Sequence, residues 1–268
     1  MALVVVGVVL LILCAVLLLV RRSQQGKLSE IMATETSTSR QLAETAKYVA
    51  ERMGEAGSFN QITEIKGLAR CDSPLTSEVA KQPCVYYSMS VSREYEETYW
   101  ETDQQTKQQV SKTRRSSEVV ASNSQRIPFF VEDSTGQVLV DPAGADVDAV
   151  QVVDRFEPGE NTMSLGALRI DLGDLLPLGS GRHTIGYKIS EKIIPLDRSV
   201  YVLGEAVDST GKVTMLKPRE KGKKFLISHK SEEELVRSTG STIRWLLVGA
   251  AASGVIGAVL LVVGLVQR

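Results

Sequence analysis

The sequence predicts an α+β chain in which a β-rich domain, a sheet or partly closed barrel, forms the loop between two transmembrane helices. Three observations lead there. Uninterrupted apolar stretches cover 2–20 and 245–266, near the two ends of the 268-residue chain. The roughly 220 residues between them are polar on average and enough for one sizeable domain. Within that middle part, apolar residues recur at every second position, the period of a half-buried strand.

Each apolar stretch has about the length that crosses a 30 Å hydrocarbon core as a helix. No Asp, Glu, Lys or Arg interrupts either one; a single such residue at the centre costs about 2.5–3.5 kcal/mol on insertion scales. The first stretch has no basic n-region and no A-x-A site, and its apolar run outlasts a signal peptide's. Leu11-Ile12-Leu13-Cys14 only faintly matches a lipoprotein cleavage box, because Leu13 is too large, so an uncleaved anchor is expected. Arg21, Arg22, Lys27, Lys230, Arg237 and Arg244 lie on the loop side and Arg268 on the other. The positive-inside tendency then puts the loop in the cytoplasm; in an organelle envelope the corresponding loop would lie between membranes. The second stretch repeats small residues at every fourth position, Gly249, Ser253 and Gly257, flanked by Ala250, Gly254 and Ala258. That spacing lets membrane helices approach closely, with the first span or with a second copy as the partner.

Residues 23–57 read as a linker, or an extension of the first helix, followed by a juxtamembrane helix. Ser39 is the expected N-cap of that helix, Leu42, Ala46, Val49 and Met53 its apolar stripe, and Gly54 and Gly57 its stop. Strands begin near Gln61. Val85, Tyr87, Met89 and Val91 alternate with mostly polar neighbours, and the polar stretch 96–115, containing Thr98-Tyr99-Trp100, reads as a long hairpin returning through Glu118-Val119-Val120. Asp133-Ser134-Thr135-Gly136 and Asp208-Ser209-Thr210-Gly211 each sit between apolar runs, as hairpin turns with a left-handed glycine. Segment 143–185 reads mostly as loop. Strands resume at 187–191 and 199–203, and a short helix at 231–237 leads into the second span.

The composition excludes much chemistry. Basic and acidic residues number 31 and 32, leaving no electrostatic footprint for nucleic acid. His183 and His229 are the only imidazoles, and Cys14, Cys71 and Cys84 the only thiols. Cys71 and Cys84 have the spacing of a loop-closing disulfide, but in a cytoplasmic loop they would stay reduced as small buried residues. They are too few for a zinc site. Asp133 and Asp208 in Asp-x-Thr-Gly have the form of an aspartyl-phosphate nucleophile. No alternating strand–helix pattern accompanies them, so they are turn residues. Gly179-Ser180-Gly181 lacks the Lys-Ser/Thr of a phosphate loop. No catalytic residue, cofactor site or metal site is expected.

Several ordered blocks carry a resemblance. They are Ile65-Lys66-Gly67-Leu68-Ala69, Ser73-Pro74-Leu75, Pro83-Cys84-Val85-Tyr86-Tyr87, Pro128-Phe129-Phe130-Val131-Glu132-Asp133, Gly186-Tyr187-Lys188-Ile189-Ser190-Glu191, Tyr201-Val202-Leu203-Gly204-Glu205-Ala206 and Phe225-Leu226-Ile227-Ser228. In this order, over nearly the whole chain, they resemble the GIDE-type membrane ubiquitin-ligase family, MULAN-like, whose loop is the "beside a membrane" domain. The resemblance places that domain at 58–240 and implies a role in organelle organisation. In the organellar ligases a zinc-binding RING finger follows the second span; here only Gln267 and Arg268 follow it. The expectation is therefore a recruitment module without its own catalysis. The alternative is ubiquitin transfer with a separate RING subunit. Its partners would be the lipid bilayer, a protein bound through the exposed hairpin at Tyr99 and Trp100, and a second copy through the second span.

Overall fold

The computed structural model describes residues 2–53, 57–102, 108–159, 182–208 and 212–266, and the backbone of 162–165 and 168–171. Gly54, the Gln/Lys-rich hairpin tip at 103–107, the Gly179-Ser180-Gly181 loop and the Ser209-Thr210-Gly211 turn lie outside the described residues.

The polar flank of each apolar stretch continues its helix. Helix α1 covers Ala2–Ala33 and α3 covers Glu232–Val266. At 1.5 Å per residue they are about 48 and 52 Å long, far more than a bilayer core requires. The apolar parts, 2–20 and 245–266, are therefore only the upper portions of two longer rods. Segments 21–33 and 232–244 form a polar two-helix stalk of about 20 Å. Of the two readings of 23–39, the extension of the first helix holds as far as Ala33, and the helix expected at 231–237 is the first turns of α3, continuous with the second apolar stretch. Both helices are long and apolar enough to cross a membrane, and the rest of the protein covers almost none of their apolar surface. A core helix of a soluble domain would be buried instead.

Helix α2 (Ser39–Met53) opens with a capping box one residue before the expected cap. Thr38 N donates to Gln41 Oε1 at 2.9 Å and Gln41 N donates to Thr38 Oγ1 at 3.2 Å. This reciprocal pair is the S/T-x-x-E/Q arrangement, so Thr38 takes the role expected of Ser39. Ser39 N is held instead by Asp133 Oδ2 at 2.7 Å. Leu42 and Ala46 are buried and Val49 packs half-buried against the same core, whereas Met53 is 69 % exposed.

Five strands close into a barrel. They are β1 (Asn60–Arg70), β5 (Phe129–Asp133), β6 (Gly136–Val140), β12 (Ser199–Asp208) and β13 (Val213–Leu216). Their pairing runs β1-β5-β6-β13-β12 and returns to β1. All contacts are antiparallel except β6 with β13. In chain order this is a 1-2-3-5-4-1 ring, the Greek-key barrel of the OB type. Strand β1 pairs with β12 from Asn60 to Leu68 and with β5 from Leu68 to Arg70, so it turns the corner between them. Gly67 sits at that corner, where a Cβ would lie 2.3 Å from the Glu132 carbonyl oxygen. Ile65, Phe129, Val131, Val140, Val202, Ala206 and Met215 fill the barrel, with Leu42 and Ala46 of α2 packed into the same core.

Two long insertions carry the second sheet and three further strands that lie outside it. Strands β2 (Leu75–Thr76), β3 (Pro83–Thr102) and β4 (Gln109–Arg126) come between β1 and β5. Strands β7 (Asp146–Asp148), β8 (Val150–Pro158), β9 (Thr162–Leu165), β10 (Leu168–Asp171) and β11 (Arg182–Pro195) come between β6 and β12. The segment at 143–185, expected to be mostly loop, thus holds strands. Val150 to Val153 alternate too weakly to reveal them, because β8 is an edge strand whose residues are mostly half-buried or exposed. The sheet order is β4-β3-β11-β8, with β2 beside the start of β3, while β14 (Leu226–Ser228) and β7 extend the barrel beyond β12.

Strand β12 is covered on both faces. Val200, Val202 and Ala206 face the barrel core. Tyr201 and Leu203 face outward, where Ile31 of α1, Leu235 of α3 and Leu226 cover them. This second small core seats the stalk on the barrel wall.

Candidate interaction surfaces

Three places combine exposed or unusual side chains with a defined scaffold: the seat of the stalk, the β3–β4 arm and the contact between the two long helices.

At the seat, Glu64 of β1 is completely buried. Its Oε2 accepts from Tyr201 Oη at 2.5 Å, and its Oε1 accepts from Thr36 Oγ1 and lies 3.1 Å from Lys66 Nζ. Lys66 Nζ also reaches Glu232 Oε2, at the start of α3, at 2.6 Å. Burial opposes the Lys66 charge, but hydrogen bonds to Glu232 and Glu64 outweigh it and hold the ammonium pKa above its ordinary value. Burial and the Glu64 carboxylate push the Tyr201 phenol well above the ordinary range. The connector between α1 and α2 joins in: Ser37 N donates to Glu64 O at 2.9 Å. Helix α3 starts with its own capping box, Ser231 N to Glu234 Oε2 at 3.1 Å and Glu234 N to Ser231 Oγ at 3.3 Å. One buried carboxylate thus ties both helix entries to the barrel. The sequence signal for it was an acidic residue between Thr63 and Ile65 inside a strand pattern, with no partner visible locally.

On the arm, among the described residues, β11 pairs with β3 as far as Arg182 opposite Glu97. Beyond that point β3 and β4 continue as a two-stranded ribbon, through Tyr99 opposite Lys112 and Trp100 opposite Ser111. A bare ribbon is marginal by itself, and charges rivet its base. Glu97 accepts from Arg114 Nη2 at 2.7 Å and Arg182 Nε at 3.2 Å, and Glu96 accepts from Arg115 Nε at 3.0 Å. Hydrogen bonds from Arg114 and Arg182 hold the Glu97 carboxyl below its usual value. Successive residues point to opposite faces, so Tyr99 and Trp100 do not form one patch. Tyr99 lies under the Arg114 guanidinium, 5.6 Å from its ring centre, whereas Trp100 on the other face is 68 % exposed. Lower on the Tyr99 face, Arg93 is 2 % exposed, donating to Thr184 Oγ1 at 2.9 Å and Glu118 Oε1 at 3.2 Å. Its inward position follows from the alternation that starts at Val85.

Along the long helices, the small-residue stripe faces α1 of the same chain. A Cβ on Gly257 would stand 3.0 Å from Gly7 O, one on Gly7 2.9 Å from Gly257 O, and one on Gly264 2.8 Å from Val4 Cγ2. Gly249 lies against Leu17, and Ser253 is buried with its hydroxyl donated to Ala250 O at 3.1 Å.

Elsewhere the turn aspartate has a structural task. Asp133 Oδ1 accepts from Thr135 N, Thr135 Oγ1 and Gly136 N, and Oδ2 accepts from Ser39 N. Gly136 has φ 159°, close to extended and not the left-handed value expected of it. Cys71 and Cys84 are both free thiols. Among the described residues no cluster of His, Cys, Asp and Glu has the makings of a metal site.

Comparison with known proteins turns this architecture into a family. The chain is 27 % identical over 150 residues to the E3 ubiquitin-protein ligase SPL1 of Arabidopsis thaliana, over 55 % of this chain and 42 % of that protein. It therefore spans less than half the length of that relative. No solved structure matches it. A family model described as "GIDE: E3 Ubiquitin ligase" matches residues 98–264, from the arm through the barrel to the end of α3, and the chain belongs to the GIDE family.

Proposed function

We propose that this chain is a membrane-anchored recruitment module of a ubiquitin-ligase system. Its two spans hold the barrel beside the bilayer on the stalk, and the β3–β4 arm presents a partner-binding tip. The barrel itself assigns no activity, because folds of this kind host many functions. The observation that carries the reading is Trp100, 68 % exposed on a ribbon that, among the described residues, runs past the end of β11. A large aromatic so placed adds nothing to a core, and aromatic anchors are enriched at binding hot spots. The basic residues at the loop side of both spans favour a cytoplasmic domain. The second reading, ubiquitin transfer of the ligase type by the chain together with a RING subunit, is favoured by the family match.

The test uses the full chain in native membranes with a photo-crosslinking residue at position 100. The expected result is one discrete adduct to a protein whose ubiquitin conjugation falls in the Trp100→Ala variant. Adducts no stronger than those from position 119, where Val119 is 65 % exposed on β4, overturn recruitment through the arm. Ubiquitin transfer by the purified chain with a conjugating enzyme and no added RING protein would replace the first reading by catalysis.

A further inference from the structure

The loop 217–224 reads Lys-Pro-Arg-Glu-Lys-Gly-Lys-Lys, five basic residues against one acidic residue. Every charged residue in it is exposed. None of the five cations joins the ion pairs seen elsewhere among the described residues. Such a concentration of unneutralised charge does not stabilise the fold; its placement gives it a use. Lys224 N donates to Glu30 Oε1 of α1 at 2.8 Å, which pins the end of the loop against the stalk. Glu220, Lys221, Gly222 and Lys223 line a cleft of 790 Å³ together with Gly26, Ser29 and Glu30. Gly26 is six residues beyond Val20, so this cleft opens about 9 Å along the helix from the end of the apolar stretch. Gly222, at φ 94°, turns the chain at the tip and leaves Lys221, Lys223 and Lys224 on an open surface. Lysine side chains extend about 6 Å from their Cα atoms, enough to enter a headgroup layer at that height. Lys27, the other cation of this level on α1, is already engaged with Asp146 at 3.4 Å.

We propose that the loop 217–224 docks on anionic lipid headgroups through Arg219, Lys221, Lys223 and Lys224, fixing the barrel's tilt on its stalk. The proposal rests on the reading that α1 and α3 span a bilayer. Polybasic segments beside a membrane span are attracted to acidic leaflets in this way, and the attraction is lost as salt shortens the screening length.

The test is hydrogen exchange on the full chain in lipid nanodiscs of phosphatidylcholine, with or without about one-fifth phosphatidylserine. The expected result is exchange across 219–224 slowed about tenfold in the anionic discs. The slowing disappears in the Arg219→Gln, Lys221→Gln, Lys223→Gln, Lys224→Gln variant and in raised salt, while barrel strands exchange alike in all samples. Equal exchange in both lipids overturns the proposal, as does protection that inorganic phosphate produces in neutral discs. The membrane reading fails separately: a chain that the discs do not retain, with 2–20 and 245–266 exchanging freely, overturns that reading and this proposal together.

Discussion

Tyr201 Oη lies 2.5 Å from Glu64 Oε2, and the two residues sit on neighbouring strands of the barrel wall directly under the stalk. The phenol is the donor that makes a fully buried carboxylate tolerable. Removing it in Tyr201→Phe leaves one oxygen of Glu64 without its donor, at a cost of about 1–3 kcal/mol. The midpoint of thermal unfolding in detergent should fall accordingly, and Glu64→Gln should restore part of it in the Tyr201→Phe background. The pH dependence has a definite sign. The folded chain raises the Tyr201 pKa, so it holds the proton more tightly than the unfolded chain does. That contribution is complete below the ordinary phenol value of about 10 and is lost as pH rises toward the folded value. Wild-type stability should fall more steeply above pH ~10 than that of Tyr201→Phe.

Gly67 marks the corner where β1 leaves β12 for β5. A Cβ there would sit 2.3 Å from the Glu132 carbonyl oxygen, and backbone cannot retreat as a flexible side chain can. Gly67→Ala should cost at least about 1–3 kcal/mol, the range of overpacked cores. Denaturant titration checks it. Alanine at Gly240, where nothing lies within 4 Å of the added carbon, should leave stability unchanged or slightly raised.

The two long apolar helices, the long hairpin and the strands around 187–191 and 199–203 are legible because their signals are periodic and local. The barrel's closure is not, because β1 meets β12 across about 140 residues and nothing in either strand names the other. The same distance hid Glu64 with Tyr201 and Lys66 with Glu232. The N-cap was misplaced by one residue because both Thr38 and Ser39 suit the role; only Gln41, three beyond Thr38, tells them apart. Tyr99 and Trp100 are adjacent in the sequence and both sit on the expected hairpin, yet alternation along a strand sends neighbours to opposite faces.

The two thiols of the loop domain should behave differently. Burial, with the Glu191 charge nearby, pushes the Cys84 thiol up to about 11. Since the thiolate is the reactive form, Cys84 should resist a maleimide at neutral pH while the half-buried Cys71 reacts. Unfolding should equalise them, and mass spectrometry of the labelled peptides reads both. Rapid labelling of Cys84 in the folded chain would contradict the packing of β3 against β11.

The contact between the long helices can be locked with one substitution, because a native thiol already sits in it. A Cβ placed on Gly254 would lie 4.0 Å from Cys14 Cβ and 3.2 Å from its Sγ. Disulfides join Cβ atoms about 3.5–4.5 Å apart, so Gly254→Cys should oxidise with Cys14 in the full chain reconstituted in lipid or detergent. If the small-residue stripe serves α1 of the same chain, the product is a monomer with both thiols consumed. If it serves a second copy, the oxidised product runs as a dimer on a non-reducing gel. Adding Gly257→Leu should abolish the monomeric cross-link, since a Cβ at that position already approaches Gly7 O at 3.0 Å and a larger side chain must part the helices. A monomeric cross-link that survives Gly257→Leu would show that the close approach of Gly7 and Gly257 does not set the helix spacing.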